Sequence, residues 1–104
     1  MQVSEESQVI VPPSFVDLYL PPGRTRPTAP REEIAARHEI CDDLAQALTE
    51  HARTVLWRHG VTEQDVLERI HNGLQEEGSG LSPDEARWVS LRLAELLEWR
   101  DVHL

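Results

Sequence analysis

His38 and Asp42 stand four residues apart, one helical turn, and would project from one face of a helix. Glu39 and Asp43 repeat that spacing, and His51 lies further along the same stretch. Zinc or manganese chemistry needs three or four donors converging on one point, each held by further hydrogen bonds. Histidines and carboxylates on a helix ordinarily face water instead. The pattern therefore reads first as a solvated face. A small metal-dependent enzyme built on His38 and Asp42 ranks last among the functional readings, and no metal or other cofactor is assigned. Cys41 sits in an apolar run, three residues before Leu44 and one turn from His38. A reactive thiolate needs a lowered pKa; a cysteine on an apolar stripe is usually core, and Cys41 is read so. The carboxylate pairs Asp42-Asp43, Glu76-Glu77 and Asp84-Glu85 fall at helix starts or on exposed faces. Acid–base catalysis would need environments that push two carboxyl pKa values apart. No catalytic residue is assigned, and the chain reads as a non-enzyme.

Charge excludes further classes. The 104 residues carry 19 acidic and 10 basic side chains, a formal charge of −9. All the basic residues are arginine, so a phosphate-loop lysine or a Schiff-base lysine is impossible. A phosphate-binding footprint needs clustered positive charge, so direct nucleic-acid binding is not expected. The acidic residues Glu39, Asp42, Asp43 and Glu50 could instead imitate nucleic acid toward a basic partner, which is the second functional reading. The start Met1-Gln2-Val3-Ser4-Glu5-Glu6 lacks the basic-then-apolar order of a secretory signal. No window approaches the ~20 apolar residues of a spanning helix. With one cysteine, these features point to a reducing, bacterial-type cytoplasm and away from a membrane.

Proline divides the chain near residue 30. Six of the seven prolines lie in residues 1–30, which cannot form one continuous helix. Residues 1–29 are expected to be an extended Pro-rich arm, mobile over residues 1–12 and docked from Phe15 to Leu20. The run Phe15–Leu20 alternates as a short strand, with Val16, Leu18 and Leu20 on one apolar face. Arg24 to Pro30 matches the R-x-x-P-x-x-P spacing of polyproline ligands. That match is short enough to be coincidence, while the extended conformation behind it stands. Phe15, Val16, Leu18, Tyr19, Leu20, Arg24 and Arg26 are the expected partner-binding residues.

Residues 30–104 read as an all-α domain, a three-helix bundle with a long first helix. The helices are expected at about 30–58, 63–76 and 83–100. Thr28 and Pro30 open the first, and Gly60 stops it. Its stripe runs through Cys41, Leu44, Leu48, Ala52 and Val55, with Leu48 buried. Thr62 and Asp65 give the second a capping box. Ser82, Pro83 and Glu85 form the strongest start signal, that of the third. The tail Asp101–Leu104 is expected to fray. Of Trp57, Trp88 and Trp99, at least two should close a core that has one Phe and one Tyr. The core is small enough that a homodimer would help it.

The run Pro13–Arg24, continued by Arg31–Arg37, resembles a group of short proteobacterial proteins, some of them labelled ATPases with chaperone activity. Without a lysine for a nucleotide loop, the resemblance implies chaperone-like or adaptor binding without the ATPase. The leading functional reading is thus a non-enzymatic acidic module, adaptor or chaperone-like. It would bind a protein partner through the arm and the face of the first helix.

Overall fold

Pro12 and Pro13 decide how the described chain, residues 10–104 of a computed structural model, begins. Pro12 is extended at φ −64° and ψ 148°, and Pro13 takes the first position of a helical turn, Pro13–Val16. That position lacks an intrahelical acceptor, so proline costs nothing there. The N–H groups of Phe15 and Val16 both donate to the Pro12 carbonyl, at 2.9 and 3.1 Å. A 3₁₀ turn, Asp17–Tyr19, continues it. The expected strand over Phe15–Leu20 is therefore absent, and residues 13–19 are not extended. The same residues also carry helical spacing: Phe15 and Tyr19, four apart, bring their rings to 5.8 Å. No strand occurs among the described residues. The expectation of mobility for residues 1–12 falls largely on residues 1–9, outside the described ones.

Four helices follow: α1 Arg31–Ala47, α2 Thr49–His59, α3 Glu63–Leu74 and α4 Pro83–Leu97. The chain divides into two compact units, and the division falls between Ile40 and Cys41, inside α1. In the first unit, the Thr28 N–H donates to the Tyr19 carbonyl at 2.7 Å, closing the intervening loop. Thr28 thus does not cap α1. The Pro30 carbonyl accepts from Ile34 at 3.0 Å, which puts Pro30 at the flanking position. Phe15, Ile34 and His38 are the buried side chains of this unit, and the His38 ring meets Phe15 edge-on at 5.4 Å.

The second unit, Cys41–Leu104, holds most of the core. The expected continuous helix over 30–58 is interrupted at Leu48. The Thr49 hydroxyl donates to the Gln46 carbonyl at 2.8 Å, a local bond of the kind that competes with the helical ladder. Within the unit α2, α3 and α4 pack pairwise. α4 supplies more of the interior than any other helix, with Ala86, Trp88, Val89, Leu93 and Ala94 buried. Both expected capping boxes form. Asp65 N donates to Thr62 Oγ1 at 3.0 Å, and Glu85 N donates to Ser82 Oγ at 3.1 Å. The Glu85 carboxylate answers by accepting from Ser82 N at 2.9 Å. α3 ends at Leu74 and α4 at Leu97, both short of the expected limits. Glu98 turns α4 off with φ 60°, and the N–H of Trp99 reaches back to the Ala94 carbonyl at 2.9 Å. That turn swings Trp99 into the core.

The tail, expected to fray, carries hydrogen bonds to α3 and α4. The Gln64 side-chain amide pairs with the backbone of His103 twice, donating to its carbonyl at 2.7 Å and accepting from its N–H at 2.9 Å. Leu104 gives its carbonyl to Arg87 at 3.4 Å. A side-chain amide can mimic a backbone partner in this way, at a sequence separation of 39 residues.

Candidate functional site

α2 is unlike its neighbours in what it buries. Its one fully buried side chain is Ala52. Val55 and Leu56 are half-buried, and Trp57 is 88% exposed. The helix is nonetheless well made: Arg58 and His59 occupy its last turn, where they complement the dipole, and Gly60 stops it at φ 61°. α3 runs beside it and buries Val66 and Leu67, leaving Ile70 and Leu74 half-buried.

Between the two helices lies an open groove of about 280 Å³. Leu48, Val55, Val66, Ile70 and Leu74 line it, and Gly73 leaves one stretch of its wall without a side chain. Two further lining residues, His51 and Arg69, are exposed and nitrogen-bearing. Neither makes an ion pair or side-chain hydrogen bond among the described residues. No acidic residue lines the groove. Trp57 lies on the opposite side of α2, since two residues from Val55 is a rotation of about 200°. On that outer face Arg53 stands one turn before it.

A second hollow, about 430 Å³, lies at the end of α4 between Leu91, Trp99 and Val102, with Glu95, Glu98 and Arg100 at its edges. It has charges of both signs.

Cys41 is fully buried. His38 is buried too, against Phe15, and is not on a solvated face. Asp42 accepts from the Arg92 guanidinium at 2.7 Å, and the same guanidinium reaches Glu95 at 2.8 Å. The bond to Asp42 and then that to Glu95 hold the Arg92 pKa above the ordinary arginine value, against a lowering by burial. Asp42 is thus engaged inside the second unit, while Asp43 and Glu50 are exposed there and Glu39 is exposed in the first. No group of three or more His, Cys, Asp or Glu side chains stands where it could hold a metal ion, among the described residues. The His71 Nε2 is buried without a hydrogen-bond partner.

Of the expected partner-binding residues, Phe15 is fully buried; Val16, Leu18, Tyr19 and Leu20 are half-buried; and Arg24 and Arg26 are exposed. Trp88 and Trp99 close the core and Trp57 does not. Leu48, expected in the core, is half-buried on the groove. The groove itself was not foreseen. Its signal is the glycine at position 73 inside an otherwise apolar stripe, which reads from sequence only as a weakened helix. No helix is long and apolar enough to cross a membrane, among the described residues. No protein-family model, curated protein or solved structure matches the chain.

Proposed function

We propose that the protein is a non-enzymatic interaction module, an acidic adaptor or chaperone-like subunit built on a three-helix bundle, and that a protein partner docks on α2. The observation that carries the reading is Trp57. A tryptophan 88% exposed on a helix that buries only Ala52 contributes little to folding. Tryptophan and arginine are the residues most enriched at the energetic centres of interfaces, and Arg53 stands one turn from Trp57. The groove on the other side of the same helix supports the reading. At about 280 Å³ it falls under the roughly 300–1,000 Å³ of small-molecule sites, and its open form suits a pair of inserted side chains.

The test is photo-crosslinking in cells. A photoreactive residue at position 57 should trap one protein in good yield, and the same group at the exposed Glu77 should not. Trp57→Ala should keep the circular dichroism of the wild type and lose the partner. Equal crosslinking from both positions, or none from position 57, would sink the proposal.

A further inference from the structure

We infer that the α2–α3 groove takes an amphipathic helical segment bearing carboxylates, its apolar side chains between Val55 and Ile70 and a carboxylate against Arg69 and His51. This rests on the reading of α2 as the docking element and names the chemistry of what docks.

The apolar part follows from burial. Leu48, Val55, Ile70 and Leu74 are each half-buried on one continuous surface, with Val66 fully buried as its floor. Covering such a surface removes apolar area from water, the main source of affinity at interfaces. Gly73 removes a side chain where the groove would otherwise be narrowed, and a Cβ built there meets no atom within 4 Å. A glycine inside a helix lowers its stability relative to alanine, so its place on the groove wall is a feature of the surface and not of the helix.

The sign of charge follows from composition. The chain carries −9 overall, so a randomly chosen stretch of its surface is acidic. The groove departs from this, with Arg69 and His51 on its lining and no carboxylate. Both side chains are without an ion-pair partner among the described residues, so no internal bond must break before they meet one. An acidic segment satisfies them; a basic one would meet like charge locally. Opposite charges at the edge of an apolar contact give register and selectivity more than raw affinity. The helical form follows from the shape, since a groove between two packed helices presents ridges that a third helix fits.

The experiment uses the full chain and a fluorescein-labelled peptide helix with leucines at i, i+4 and i+7 and glutamates beside them, read by anisotropy. A twin peptide carries lysine for every glutamate. The acidic peptide should bind saturably. Gly73→Leu, which fills the groove, and Arg69→Glu should each weaken it by at least about tenfold. The lysine twin should bind the wild type poorly and gain on Arg69→Glu. Absence of binding by the acidic peptide, equal binding of the twins, or indifference to Gly73→Leu overturns the inference. Sedimentation covers the other occupant: a wild-type dimer that Gly73→Leu makes monomeric means that a second copy fills the groove, and the inference fails. Crosslinking from position 57 reads the outer face of α2 separately. A partner trapped there while the peptide fails would leave the docking element standing and refute only the groove's occupant.

Discussion

Leu48 and Leu67 separate groove from core in one measurement. Leu67 is fully buried on α3; Leu48 is half-buried at the break between α1 and α2. Replacing leucine by alanine removes three carbons, worth roughly 0.8 kcal/mol each if all are buried, or about 2.4 kcal/mol. At Leu67 the surrounding side chains relax only in part, and the cavity left raises the cost to about 3–4 kcal/mol. At Leu48 a minor part of the residue already meets water, and the space left opens to the groove without sealing a void. Its cost should be about 1.5–2 kcal/mol, the transfer contribution without a cavity. With a urea slope of about 2 kcal/mol/M, the midpoint should fall by about 1.5–2 M for Leu67→Ala and about 0.8–1 M for Leu48→Ala. The assay is urea unfolding followed by far-ultraviolet circular dichroism, with the slope held common to all variants. Equal losses at the two positions would place Leu48 in a closed core, and the groove would cease to exist as a surface.

Other changes test the parts that hold this surface in place. Ser82→Ala should cost about 1 kcal/mol, because the hydroxyl satisfies the Glu85 amide at the start of α4; an unmoved midpoint refutes the cap. Gly73→Ala should stabilise by about 0.5–1 kcal/mol, since the added methyl meets open space in a helix; thermal unfolding reads it, and destabilisation would mean that the wall is closed. Gln64→Ala should speed amide exchange at His103, whose N–H loses its acceptor, while leaving the α4 interior protected; unchanged exchange at His103 would refute the tail clamp.

Local signals were legible in the sequence and long-range ones were not. Both capping boxes and the left-handed stop at Gly60 are written in three or four adjacent residues, and each formed where expected. The break at Leu48 coincides with a bond that the apolar stripe does not report, from the Thr49 hydroxyl to the Gln46 carbonyl. The run Phe15–Leu20 reads as a strand because six residues can satisfy periods of 2 and 3.6 together, while a strand also needs a neighbour to pair with. His38 looked solvated because its helix neighbours are charged; its burial follows from a Phe15 ring 23 positions away in sequence. The Gln64 clamp on His103 spans 39 residues. Of the candidate site, Trp57 is one of three tryptophans of which at least two are expected in the core, and only its exposure in the fold sets it apart.

The distribution of charge also sets how an acidic partner would arrive. Beyond a Debye length, about 8 Å at physiological salt, it meets a body of net charge −9 and is repelled. Within that distance it meets α2, where Arg53 and Arg58 outnumber the single acid Glu50, with His51 and His59 beside them. The two fields oppose each other, and salt weakens the longer-ranged one more. Raising ionic strength from about 0.01 M to 0.15 M shortens the Debye length from about 30 Å to 8 Å and should therefore speed association of the acidic peptide. The dissociation rate should change less, because it is governed by apolar area leaving the groove. Stopped-flow anisotropy at the two salt concentrations measures both rates. Slower association at the higher salt would mean that the basic lining of the groove dominates at all distances, and the repulsive contribution assigned to the whole chain would be wrong.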